Sequence, residues 1–495
     1  MIPRYEKERI KKIWSEENKT GLWQRVELAV LCAKDYLKQL AIGIYKTICD
    51  RLEDNAIDLI EWKKIEKETR HDLDAFLDER RRFLPTELQH YLHEDMTSYD
   101  TEEAPFASML KESVEQVRKN LLELMAVLKA MAKKYRYTIM MSRTHGQEAQ
   151  LQSFGKRCLT WLKALMVDEE NLNRAASSLK YSKLSGAIGN YGGLTPEVEK
   201  ETLRILGLEP FYGATQIMPR ELYAPLAQAL CQIVQTLDKI AIDIRLGARS
   251  GNPIYQEPFG KKQKGSSAMP HKKNTISTEQ IEGMARMTKG YLSMIMDNIK
   301  TWEERAIEQS SVERVAWPDL FHVTVHSLTV MTRTLEGLAV YPDNMMREII
   351  NSRGCYASVE VKKFLAERGI SFGLSTEEAY RIVQLAAFNA FSPSEEDEWV
   401  RNNLPVSLEQ TDEIFSKFQK IPKETVVSIK EIISHARLKR SPELGATLEE
   451  VIRWNGILGQ IFQSGSNIKE FNQVFSVPYL LRNEDKLYQE ILGEA

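Results

Sequence analysis

LYAPLAQALCQIVQTLDKIAIDI, residues 222–244, decides the fold class. Leu222, Leu226, Leu230, Ile233, Leu237, Ile240 and Ile244 recur in steps of three and four, the spacing that lines one face of an α-helix and packs it into a bundle. At about 1.5 Å per residue such a helix is roughly 30 Å long. A second seam runs through Val114, Val117, Leu121, Leu124, Leu128 and Met131, and a third through Ile281, Met284, Thr288, Tyr291 and Ile295. Leu and Met at this spacing are core, not cofactor ligands. With 25 Gly and 17 Pro in 495 residues, the chain has too few turn residues for a β-sandwich. The predicted class is all-α, built around long helices.

Punctuation between the seams gives the organisation. Thr195 before Pro196 is an N-cap followed by proline at the first helical position, and Ser375 with Glu378 forms a capping box. Breaks are expected near 95–106, at 248–276 where Gly, Pro, Ser and Lys cluster, and at Tyr341-Pro342-Asp343-Asn344. An acidic loop from Ser392 to Glu398 and a basic stretch at 437–443 interrupt the last third. The expectation is three helical domains: 1–100, a central bundle over 101–342, and 343–495, with an extension beyond about 437.

Charge and cysteine content exclude several classes. The 67 Lys and Arg against 70 Asp and Glu leave a net charge of −3, so no overall field draws the chain to nucleic acid or to an anionic membrane. Its 5 cysteines are scattered, with no C-x-x-C pair, which speaks against a disulfide framework or a zinc knuckle and for reduced thiols in the cytoplasm. The start MIPRYEKERIKKIW has charges where a signal peptide needs an apolar run.

The segment QKGSSAMPHKKN, residues 263–274, is the first that suggests chemistry. Two serines, three lysines, a histidine and an asparagine in one loop suit an anionic substrate, although a solvated basic turn has the same composition. A P-loop is excluded, because Ser266 stands where its lysine is required and no strand precedes it. His322 and His326 have the spacing of a helical metal pair but lack the following Glu of H-E-x-x-H. Gly186, Gly189, Gly192 and Gly193 do not form G-x-G-x-x-G, and Arg80-Arg81-Arg82 is expected to be a solvated face.

Gly265-Ser266-Ser267-x-x-Pro270-x-Lys272-x-Asn274 resembles the signature loop of the fumarase/aspartase superfamily, and its MPHK form is similar to that of adenylosuccinate lyases and of carboxymuconate cycloisomerases. Thr275 departs from the family's usual proline, which is expected to loosen the start of the next helix. Ser142 to Gln147 resembles the second conserved region, whose histidine, here His145, is the general acid; Leu151 stands where proline is usual. Thr97-Ser98-Tyr99-Asp100 is similar to the segment that binds a substrate carboxylate, and Glu304-Arg305 with Ser310-Ser311-x-Glu313-Arg314 to the segment that grips a nucleotide, with Ala306 and Gln309 as departures. Taken alone, the first is an ordinary Ser/Thr turn and the second a helix surface laced with Glu–Arg pairs.

The resemblance implies a homotetramer with a multi-helix core, whose active sites draw on three subunits and need no metal or other cofactor. It makes Ser266 the base, with Ser267 as the less favoured neighbour, and His145 the acid, supported by Glu279. Substrate contacts would come from Arg4, Tyr5, His71, Asp72, Thr97, Ser98, Gln216, Lys272, Asn274, Arg305, Ser310 and Arg314. Read without the family, Arg4-Tyr5 is a frayed terminus, His71-Asp72 a capping pair and Gln216 a cap for the helix after Pro219. The implied activity is elimination of fumarate from a succinylated purine nucleotide. The alternatives are a superfamily lyase or cycloisomerase acting on a non-nucleotide acid, and a non-catalytic helical scaffold.

Overall fold

The computed structural model describes residues 1–391, 448–449 and 458–493. The helices in chain order are α1 (Glu8–Ile13), α2 (Glu16–Tyr36), α3 (Ile44–Glu53), α4 (Leu59–Thr69), α5 (Asp72–Arg81), α6 (Ser98–Lys134), α7 (Phe154–Ala176), α8 (Pro196–Leu206), α9 (Ala224–Gly247), α10 (Ile276–Asp297) and α11 (Glu308–Glu336). They continue with α12 (Pro342–Asn351), α13 (Ser358–Gly369), α14 (Thr376–Phe391), α15 (Gly465–Gln473), α16 (Val477–Leu480) and α17 (Glu484–Leu492). Among the described residues, strands are confined to two-stranded pairs: β1 (Ile139–Thr144) with β2 (Gln147–Ser153), β3 (Tyr181–Ser182) with β4 (Glu209–Pro210), and β5 (Tyr255–Gln256) with β6 (Ala339–Val340). The all-α expectation therefore holds. None of the described helices is long and apolar enough to cross a membrane.

The chain divides into two compact units. The first comprises Met1–Val127, Lys163–Leu246 and Glu257–Leu338. Its core contains the predicted seams of α9 and α10, where Leu226, Leu230, Ile233, Leu237, Ile240, Ile244, Ile281, Met284, Thr288 and Ile295 are buried. Leu222 falls outside α9 in a 3-10 turn, and α9 starts two residues later than its seam. Trp23, Trp62, Leu73 and Phe76 form a further cluster where α2, α4 and α5 meet. Thr195 caps α8 through its hydroxyl, with Pro196 at the first helical position.

The second unit comprises Leu128–Leu162, Gly247–Gln256 and Ala339–Ala495. The β1–β2 hairpin packs with α12 around Met141, Leu151 and Ile349. Val361, Phe364, Leu365, Ile382, Ile461 and Phe471 form its helical core. Ser375 and Glu378 exchange the hydrogen bonds of the expected capping box. The acidic loop at 392–398 and the basic stretch at 437–443 lie outside the described residues.

Three local expectations are corrected. The break near 95–106 closes at residue 97, and Pro105 sits inside α6, where it removes the N–H that would reach the Thr101 carbonyl without ending the 37-residue helix. The break at 341–344 is earlier, because Pro342 occupies the first turn of α12. Arg80-Arg81-Arg82 is not one solvated face. Arg80 is 1% exposed, paired with Glu79, and donates to the carbonyls of Asn55 and Ala56. Successive helical residues turn by about 100°, so consecutive arginines cannot share an environment.

Candidate active site

In the first unit, the N-terminal ends of α5 and α6 bring several of the sequence-selected residues together. His71 is the N-cap of α5, its Nδ1 accepting the Asp74 N–H at 3.2 Å. That leaves the proton on Nε2, 3.5 Å from Ser98 Oγ. The capping reading and the site reading of His71 are thus compatible. Asp72 Oδ2 accepts from Arg314 at 2.7 Å. Thr97 donates its N–H to Asp100 Oδ2, and Asp100 Oδ1 meets Lys183 Nζ at 2.6 Å, with both side chains fully buried. Lys183 was not recognisable from sequence, lying 83 residues from its partner. The Thr97–Ser98 turn is therefore pinned by the buried Asp100–Lys183 pair.

Around Tyr99 the segment that runs from Glu304 to Arg314 is assembled. The Arg305 guanidinium lies 4.1 Å from the Tyr99 ring centroid and donates to Gln216 Oε1 at 2.8 Å. Gln216 also donates to the Ala187 carbonyl, so it orients an arginine and does not cap the helix after Pro219. Gln309 Nε2 donates to the Tyr99 hydroxyl at 2.9 Å, a use for one of the family departures. Burial pushes the Tyr99 phenol upward. Ser310 donates to the Ile307 carbonyl at 2.9 Å.

Beneath them Arg220 bridges Glu103 at 2.6 Å and Glu313 at 2.8 Å, with all three buried. Burial alone would lower Arg220, but the two carboxylates outweigh it and hold it well above its usual value. Burial raises Glu313 against the pull of Arg220. Arg220 and Glu103 were missed; nothing in their local sequence marks them.

A cavity of about 280 Å³ opens beside this cluster, with Lys19, Asp72, Tyr99, Glu102, Ser310 and Arg314 among its walls. Glu102 is half-buried. Burial, then the neighbouring Asp72 charge, pushes its carboxyl up to about 7, against the opposing pull of Lys19, Arg314 and Arg305.

The loop before α10 belongs to the same unit. Ser266 Oγ accepts the Met269 N–H at 3.1 Å; an N–H aimed at a hydroxyl oxygen favours its deprotonated form. Asn274 donates to the Gly265 carbonyl at 2.6 Å and closes the loop's neck. Glycine is required there, because a Cβ at 265 would lie 1.9 Å from the Lys272 carbonyl oxygen. Ser267 and Lys272 are exposed, as are Lys261, Lys262 and Lys264. The loosening expected from Thr275 is countered. Glu257 accepts from the N–H groups of Ser277 and Thr278, capping α10 with a carboxylate at its positive end. Glu279 lies within reach of Thr275 and Arg245, at 3.4 and 3.5 Å.

Arg4 is exposed, while Tyr5 is not frayed: its ring packs edge-on to His326 at 5.1 Å. His322 Nδ1 accepts the Lys7 N–H at 2.9 Å. His326 is lowered to about 4 by burial, then by Lys7 and Arg333. Both imidazoles are anchors for the N-terminal segment.

In the second unit, His145 is at the tip of the β1–β2 hairpin. It and Gly146 have φ of +54° and +79°, the left-handed pair of a tight hairpin turn. The ring is exposed. Ser142 Oγ donates to the Gln150 carbonyl and accepts its N–H, and Arg143 pairs with Glu348 at 3.0 Å, so the hairpin below the tip is braced.

A family profile described as lyase matches residues 10–290. The chain is 34% identical over 439 residues to adenylosuccinate lyase of Thermotoga maritima, covering 85% of this chain and 100% of that one. It is 33% identical over 391 residues to adenylosuccinate lyase of Bacillus subtilis, covering 79% and 89%. Among solved structures, a fumarate lyase from Mesorhizobium sp. BNC1 superposes with a TM-score of 0.77 at 19% identity, over 99% of both chains. The 3-carboxy-cis,cis-muconate lactonizing enzyme of Pseudomonas putida gives 0.73 at 17%, over 99% and 97%. These last two establish the fold alone.

Proposed function

The chain belongs to the adenylosuccinate lyase family of the fumarase/aspartase superfamily, and from that premise we propose that it cleaves adenylosuccinate to fumarate and AMP. The related succinyl-carboxamide ribotide of purine synthesis is a second substrate. The observation that carries the nucleotide assignment is the group of Arg305, Gln216, Ser310 and Arg314 beside His71, Asp72 and Ser98. Planar guanidinium forks and hydroxyls are suited to phosphate oxygens.

The reaction begins with removal of a weakly acidic C–H proton next to a carboxylate. Ser266 takes that proton as an alkoxide, its oxygen supported by the Met269 N–H, once the loop excludes water. The carbanion places a second charge on the adjacent carboxylate, and Lys272, Asn274, Thr97 and Ser98 supply cationic and hydrogen-bonding groups that bind it more strongly as that charge grows. The C–H electron pair becomes the new C=C bond, and the C–N pair leaves with the purine nitrogen. His145, with Glu279 as its acidic partner in the assembled site, protonates that nitrogen. Ser267 supports the loop, His71 and Asp72 orient the nucleotide, and Arg4 and Tyr5 contact its far end. No cofactor enters.

The active assembly in this proposal is a cytoplasmic homotetramer with a multi-helix core and shared sites. The subdivision into 1–100, 101–342 and 343–495 is part of the same reading. Incubation of the purified protein with adenylosuccinate should release fumarate and AMP in equal amounts. A folded tetramer that yields neither product would transfer the reading to a non-nucleotide acid.

A further inference from the structure

Glu102 stands out among the cavity residues because, among the described residues, it forms no hydrogen bond or ion pair, although it lies in a wall rich in both. It is three residues along α6 from Tyr99, and i,i+3 positions lie on one helix face. Arg305 stacks on Tyr99, and Arg314, bonded to Asp72, lines the same cavity. The charged groups facing Glu102 come from every surrounding element: Lys19 on α2, Asp72 on α5, Arg305 before α11 and Arg314 on it. Lys63 and Glu66 on α4, with Glu16, Glu103, Arg220 and Glu313, line the remaining wall.

We propose that Glu102 is a positioning residue for the phosphate end of the substrate, competing with Asp72 for the field of Arg314 and taking up a solvent proton when a nucleotide phosphate arrives. The inference rests on the nucleotide reading above and assigns to it a residue that neither motif contains. Two arginines near Asp72 and an ionised Glu102 are largely compensated. A phosphate dianion brings surplus negative charge, and the carboxyl already near neutrality gives way first. Protonation removes a negative charge beside the incoming phosphate and leaves more of the field of Arg314 and Arg305 to the ligand.

The test is calorimetric titration of the full-length protein with AMP in two buffers of different ionisation enthalpy, comparing the unaltered chain with Glu102→Gln. With a free carboxyl near 7, the unaltered chain should take up more protons than the variant. The expected difference is about half a proton per site at pH 7 and about 0.9 at pH 8. The KM for adenylosuccinate should rise by up to about fivefold between pH 7 and pH 8 in the unaltered chain. In the variant it should stay flat, and the pH profile of kcat should overlay. A Glu102→Leu variant, free of any hydrogen bond from the amide, should match Gln in proton uptake. Equal uptake by all three proteins, with AMP bound, overturns the inference and leaves the nucleotide reading intact. Absence of AMP binding together with absence of turnover in the unaltered chain overturns both.

Discussion

Gly265→Ala isolates the geometry of the candidate catalytic loop from its chemistry, since no polar group is removed. The added Cβ would sit 1.9 Å from the Lys272 carbonyl oxygen, 3.0 Å from the carbonyl carbon and 3.2 Å from Lys273 Cα. All three atoms are backbone, so no rotamer change relieves the contact. Restoring ordinary van der Waals separation moves the Lys272 peptide by roughly 1.5 Å, beyond the ~1 Å misplacement that costs an enzyme about a hundredfold. The shift also breaks the Asn274 bond to the Gly265 carbonyl, about 1 kcal/mol of loop order. Since the loop is mostly exposed, the thermal midpoint should scarcely move. We therefore expect kcat/KM for adenylosuccinate to fall about a hundredfold, or about 2.7 kcal/mol in transition-state stabilisation. Fumarate release measures the rate, and circular dichroism melting measures the fold. An alanine variant that melts normally and keeps kcat/KM within twofold would refute the claim that this neck sets the positions of Ser266 and Lys272.

Mixing Ser266→Ala with His145→Asn protein, each inactive alone, should restore partial activity after subunit exchange; no recovery despite verified exchange would argue against shared sites. Arg314→Met should raise the KM for adenylosuccinate about 10- to 100-fold, corresponding to a lost charge-assisted bond of about 1.5–3 kcal/mol, while the activity towards the unphosphorylated succinyl nucleoside stays the same in both proteins. His93 should give a pH signature in stability. Burial disfavours its cation, but the Glu27 carboxylate at 2.9 Å outweighs that and raises it above the usual histidine range. The folded chain thus holds the proton more tightly, so the stabilisation is complete below the ordinary range and is lost as pH rises through the folded value. Glu27→Gln should lower the melting temperature more at pH 6 than at pH 9, and a pH-independent difference would contradict this linkage.

The long helices were legible because apolar residues spaced by three and four over more than twenty positions fit a packed helix and almost no competing structure. The β1–β2 hairpin was not, because β2 has the polar sequence QEAQLQS and its buried positions do not alternate with exposed ones. Its signal was the dipeptide His145-Gly146, compatible with a left-handed turn. The candidate loop could be recognised by its own residues, yet its anchor Glu257 lies 20 residues before the N–H it caps. Asp72 and Arg314 were both selected, but that they meet across 242 residues is a product of tertiary packing. Glu102 had no chance of selection, since an exposed helical glutamate and one in a cavity wall are the same letter.

The Glu103–Arg220–Glu313 bridge also constrains how the sequence can drift. Loss of Arg220 leaves two carboxylates side by side without solvent or a counter-charge, at about 3–5 kcal/mol, whereas exchanging all three for well-packed apolar side chains is often neutral. Genotypes that lose the arginine first would therefore be less fit than either end, so the three codons form a valley that constrains the order in which a lineage can cross it. The bridge acts as a ratchet on the gene as well as a strut beneath the site.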